Sequence, residues 1–110
     1  MYQQEAIKET SPEAGVDRFS FVSSTVMASK EVLSCDLGGE VVLLDMKSGV
    51  YFGLDAIGSR IWELIQAPIL VSDICAVLRH EYLVEPLQCE ADTCVFLNGL
   101  ASNGLLQFLE

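Results

Sequence analysis

Between Glu31 and Leu54 the apolar positions fall into three short runs separated by turn residues, the spacing of an antiparallel meander. Glu31–Leu37 is the first predicted strand. Gly38 and Gly39 supply a tight turn with positive φ, and Glu40–Met46 is the second strand. The third, Val50–Leu54, follows the turn Lys47-Ser48-Gly49. Val41, Val42, Leu43 and Leu44 show no alternation, as expected of a strand paired on both sides and covered on part of both faces. The middle strand is therefore the central one, and the first and third are edges.

After Asp55, a helix N-cap candidate, the period becomes helical. Ile57, Ile61, Leu64 and Ile65 share one face with Trp62 beside it, and Pro68 stops the helix. A second helix is predicted over Val71–Glu81, with Ser72 and Asp73 in its first turn and Ile74, Val77, Leu78 and Tyr82 on the buried side. The third starts near Pro86 and ends before Gly104, a natural C′ residue; Cys89, Thr93, Phe96, Leu97 and Leu100 form its core stripe. Leu105–Leu109 closes the chain as an extended piece or a last helical turn. The fold class is α+β and winged helix-turn-helix-like, a three-stranded antiparallel sheet followed by three helices. Residues 1–24 are rich in Gln, Glu, Ser and Thr with no sustained period. They are expected to form a flexible amino-terminal segment ahead of a domain over residues 25–110.

Charge narrows the partners. The 110 residues carry a formal charge of −10, and residues 31–110 hold all but one unit of it. Such a field repels phosphate backbones and anionic lipid, and the third helix has no Lys or Arg from Pro86 to Asn103. A DNA-reading helix needs cations and bidentate donors, so nucleic acid is excluded as a partner, and no apolar run is long enough to cross a bilayer. The polar amino terminus lacks the pattern of a secretory signal, so a cytoplasmic location with four free thiols is expected.

Catalytic chemistry finds little to work with. The single histidine, His80, lies five positions after Cys75, a rotation of about 140° that turns the two side chains apart on one helix. Cys89 and Cys94 are poorly spaced to share a metal, the carboxylates occur singly, and Gly38-Gly39 joins two strands rather than cradling a phosphate ahead of a helix. A non-enzymatic binding module with no cofactor and no metal is the reading these residues favour.

Two features suggest where a partner binds. The run Val50, Tyr51, Phe52, Gly53 and Leu54 has none of the charges or prolines that usually protect an edge strand. Core packing accounts for Phe52 and Leu54 but not for Tyr51 or the open backbone. On the third helix a second stripe of Leu87, Ala91, Cys94, Asn98 and Ala101 is small and largely apolar. It either packs on the second helix or the amino-terminal segment, or leaves a groove for the side chains of an added strand.

Gly39-Glu40-Val41-Val42-Leu43-Leu44-Asp45, Ser48-Gly49-Val50-Tyr51-Phe52-Gly53-Leu54-Asp55 and Gly58-Ser59-Arg60-Ile61-Trp62-Glu63-Leu64-Ile65 together resemble the PqqD-like peptide-modification chaperones. These are the recognition elements of ribosomally made, post-translationally modified peptides. The resemblance continues through Ser72-Asp73-Ile74, Glu81-Tyr82, Asp92, Phe96-Leu97, Leu100 and Gly104-Leu105, covering residues 30–110. It implies a module that binds the leader segment of a precursor peptide as an antiparallel strand on the third strand, beside the third helix. Carried over by position, Val50–Leu54 would supply backbone pairing, and Ala91, Cys94, Val95, Asn98 and Ala101 the groove contacts. A free-standing member resembles the split systems for lasso peptides, in which a separate cysteine leader peptidase and a cyclase act on the bound precursor. A carrier for a radical SAM peptide-modifying enzyme and a homodimer paired through the same edge are the alternatives.

Overall fold

The computed structural model describes residues 22–109. In chain order the elements are β1 (Thr25–Ala28), β2 (Val32–Asp36), β3 (Val41–Asp45), β4 (Tyr51–Gly53), α1 (Ala56–Leu64), β5 (Ile69–Leu70), α2 (Val71–Glu81), α3 (Pro86–Ser102) and β6 (Leu106–Leu109). They form two three-stranded antiparallel sheets, ordered β2–β3–β4 and β5–β1–β6, around the helices.

The meander and the helices match the sequence reading. β3 is central, with Val41 and Leu43 buried toward the core and Val42 and Leu44 half-buried on the opposite face. Gly38 and Gly39 take φ values of 74° and 100°, a region closed to most side chains, which lets two residues reverse the chain between β2 and β3. The Asp55 carboxylate accepts from the Gly58 N–H at 2.8 Å and starts α1. Glu85 does the same for α3, accepting from the Gln88 N–H at 2.7 Å. Ile61, Trp62 and Ile65 of the α1 region are buried together with Ile74 and Leu78 of α2 and Cys89, Phe96, Leu97 and Leu100 of α3.

The second sheet is absent from the sequence reading. β6 pairs along the whole of β1, from Thr25 opposite Leu109 to Ala28 opposite Leu106, and the short β5 closes the other side of β1. The closing segment is therefore a strand, not a helical turn. Strands of two to four residues carry too little periodicity to be read alone, and the pairing of β1 with β6 joins segments about 80 positions apart. Of the expected flexible segment over residues 1–24, residues 1–21 lie outside the described residues. Val22 packs against the core, and the Ser24 carbonyl accepts from the Val71 N–H at 3.0 Å.

One buried side chain joins the meander to the helices. The Ser59 hydroxyl, in the second turn of α1, accepts from the Val41 N–H at 2.8 Å and donates to the Leu54 carbonyl at 3.4 Å. Helix α1 is also tied to the end of α2, where Arg60 donates from Nε and Nη2 to both Glu81 oxygens at 2.9 and 2.7 Å. These bonds hold the Glu81 carboxyl below its ordinary range, against a smaller opposing effect of desolvation.

Ser59→Ala leaves the buried Val41 N–H without its acceptor and is expected to cost about 1–3 kcal/mol in urea unfolding. Because the folded-state pKa of Glu81 is depressed, its contribution is present above the ordinary carboxylate value and is lost as pH falls through the lowered one. Glu81→Gln is accordingly expected to flatten the acid limb of a plot of stability against pH, measured by urea unfolding at a series of pH values.

Candidate functional site

The hydrogen-bond phase of the β3–β4 ladder decides what β4 offers to a partner. The Leu54 N–H donates to the Val41 carbonyl at 2.8 Å and the Asp45 N–H to the Val50 carbonyl at 3.0 Å. In the observed register, with Leu43 opposite Phe52, the alternation of an antiparallel ladder turns the N–H and C=O of Val50, Phe52 and Leu54 toward β3. Those of Tyr51 and Gly53 point outward along the open edge. Side chains alternate in step with this. Phe52 and Leu54 are 3% exposed in the core, whereas Tyr51 and Gly53 are exposed and a Cβ placed on Gly53 would meet nothing within 4 Å. Three residues thus combine an apolar anchor with two outward-facing peptide groups, the arrangement needed to accept another strand. Val50 is exposed before the strand, so of the five residues expected at this edge it is Tyr51 and Gly53 that present free backbone.

Helix α3 approaches the start of α1 through Phe96. A Cβ on Gly58 would lie 3.2 Å from the Phe96 ring, so the first turn of α1 passes close over it. Gln88 and Asp92 lie two turns and one turn before Phe96 on the same side of α3, and Gln88 Nε2 donates to Asp92 Oδ1 at 2.8 Å. Both border a cavity of about 210 Å³, lined also by Ile57, Leu78, Tyr82, Val84, Glu85 and Cys89. The cavity lies where the start of α1, the end of α2 and the first turns of α3 meet.

The helix residues expected at a groove are distributed unevenly around α3. At about 100° per residue, Val95 lies roughly 80° from the Asp92–Phe96 line, and Ala91, Asn98 and Ala101 are turned roughly 120–160° from it. All four are half-buried. Cys94 lies in the hydrophobic core, turned about 180° from that line. Gln88 and Asp92 were missed because a polar pair at i, i+4 reads as ordinary helix chemistry, and only the tertiary structure brings Ile57 and Tyr82 beside them.

Thiol chemistry divides in the same way. Cys35 is exposed on β2, while Cys75, Cys89 and Cys94 are buried. Burial pushes the Cys75 thiol up to about 11, assisted by the neighbouring Cys89 and opposed by a hydrogen bond with Thr93. It is therefore held in its unreactive protonated form at neutral pH. His80 is exposed in the last turn of α2.

A scan of protein families matches residues 40–106 to Coenzyme PQQ synthesis protein D (PqqD). Two solved structures share the fold. One, TbiB1 in complex with the TbiA(beta) leader peptide, is 41% identical with a TM-score of 0.70, covering 74% of this chain and 94% of that one. The other, a lasso peptide synthetase B1 complexed with the leader peptide, is 26% identical with a TM-score of 0.67, covering 74% and 96%. No curated protein matches.

A thiol-reactive chromophore at pH 8 is expected to label one cysteine rapidly in the native protein and all four after denaturation. Cys35→Ser should remove the rapid phase; rapid labelling that survives this change would contradict the burial of the other three.

Proposed function

Taking as premise that the chain belongs to the PqqD family, we propose that it is a non-catalytic module that recognises the leader segment of a ribosomally made precursor peptide. In this reading it delivers that precursor to a separate modifying enzyme, the leader peptidase and cyclase of a lasso-peptide pathway. The observation that carries this reading is the outward phase of Tyr51 and Gly53 at an uncharged strand edge. A leader pairing antiparallel there uses the N–H and C=O of both residues, and its side chains on one face turn toward α3. Val95, with Ala91, Asn98 and Ala101, supplies the helix contacts in this account. Leader binding needs no reactive group, which agrees with three thiols lying in the apolar core and a histidine held at the surface.

Net charge adds a directional preference. With sixteen acidic against six basic residues, the module attracts leaders carrying Lys or Arg near the paired segment and speeds their encounter at low salt. Raising ionic strength is expected to slow association more than it changes dissociation.

Gly53→Pro separates binding from folding. The ring removes a single outward N–H at an edge position, where proline is tolerated, so unfolding free energy is expected to change little. Leader affinity measured by fluorescence anisotropy is expected to fall by at least about fivefold, the equivalent of about 1 kcal/mol for one hydrogen bond. Equal losses of stability and affinity, or an unchanged affinity, would count against strand addition at β4.

A further inference from the structure

Gly53 stands where nothing in the folded chain calls for glycine. Its φ lies outside the positive region taken by the turn glycines Gly38, Gly39 and Gly49. A Cβ placed on it would meet nothing within 4 Å, whereas one on Gly58 would lie 3.2 Å from the Phe96 ring. The ladder passes through it without a bulge, Gly53 opposite Val42, Phe52 opposite Leu43 and Tyr51 opposite Leu44. Glycine in a strand is nonetheless destabilising, because it loses the most backbone freedom on folding and packs no side chain of its own. A strand glycine that serves no turn, no bulge and no internal close approach marks a place where a ligand comes near.

Resting on the reading that a leader pairs with β4, we infer that the leader residue opposite Gly53 is aromatic and that its ring lies across the glycine, against Tyr51 and Val42. Register fixes the geometry. Tyr51 and Gly53 both turn their peptide groups toward the added strand, so both form hydrogen-bonded pairs with it, and paired residues project from the same face. In an antiparallel leader the residue opposite Gly53 comes two positions before the residue opposite Tyr51. The leader residue between them, opposite Phe52, turns to the other face. The surroundings of Gly53 then select the side chain. Tyr51, 66% exposed, stands two positions before it on the same face, and the half-buried Val42 stands across the ladder. A ring on the paired leader residue covers the bare Gly53 backbone and meets the Val42 methyls. It also reaches Tyr51 diagonally, over a separation of about 7–8 Å that aromatic side chains bridge. A cross-strand aromatic is the side chain that best restores what an edge glycine forfeits. A small leader residue would leave Gly53 and Val42 in water, and an acidic one would come up against Glu40 and Asp55 at the same end of the ladder.

The test uses the full chain, isotopically labelled, with the leader peptide of the same biosynthetic system as probe. Cross-strand NOEs from Gly53 identify the paired leader residue. The expected result is an aromatic residue whose ring protons contact the Gly53 Hα and whose ring current moves the Gly53 Hα signals upfield. Gly53→Val fills the gap while keeping both peptide groups and favouring the strand, so its stability to urea is expected at or above that of the wild type. Its affinity for the leader, by fluorescence anisotropy, is expected to fall at least about fivefold, with Gly53→Ala in between. Replacing the aromatic leader residue by alanine is expected to weaken binding to the wild type by about the same factor and binding to Gly53→Val no further. A non-aromatic residue opposite Gly53 in the bound leader overturns the inference. So does unchanged affinity in Gly53→Val, or an equal loss there for both leaders. In each of these cases pairing at β4, read from the NOEs, still stands. Failure of the wild-type chain to bind the leader removes the reading on which the inference rests.

Discussion

The pairing register of β3 with β4 is the constraint on which the rest of the molecule depends. Leu43 opposite Phe52 puts both side chains in the core and simultaneously sets which peptide groups face outward. A slip by one residue would expose Phe52 and bury Tyr51 and Gly53, and it would turn the bonded groups away from β3. Burial of one aromatic ring and orientation of the binding edge are thus a single choice. The ring is worth about 3–5 kcal/mol to a domain whose whole stability is of order 5–15 kcal/mol, so the choice is strongly enforced.

Around that ladder the helices act as a frame. Ser59 bonds to Val41 at the start of β3 and to Leu54 just after β4, so α1 grips both strands at the same end of the ladder. Helix α1 passes the constraint on to α3 through the close approach of Gly58 to Phe96, and to α2 through Arg60 and Glu81. The second sheet fastens the far side, where the Ala28 N–H reaches the Ile65 carbonyl at 2.7 Å and the Ser29 N–H reaches that of Leu105 at 2.9 Å. The open edge of β4 is therefore carried by rigid surroundings. A strand added to it loses its own conformational freedom while the receiving edge is already in place.

Much of this was legible in the residues because the signals were local. Gly38-Gly39, the Asp55 cap, Pro86 and the spacing of Cys89, Thr93, Phe96 and Leu100 each act within a few positions, and each marks an element boundary or face that the structure retains. The β1–β6 pairing was illegible for the opposite reason, since Thr25–Ala28 is too short to show a period and its partner lies at the other end of the chain.

Amide hydrogen exchange of β4 tests the central claim most directly, because the same strand contains both kinds of backbone group. On addition of a saturating leader peptide, the Tyr51 and Gly53 amides are expected to become protected, while those of Phe52 and Leu54, already bonded to β3, change far less. Uniform protection across all four residues, or none at Tyr51 and Gly53 while the leader is bound, would contradict recognition by an added strand at this edge.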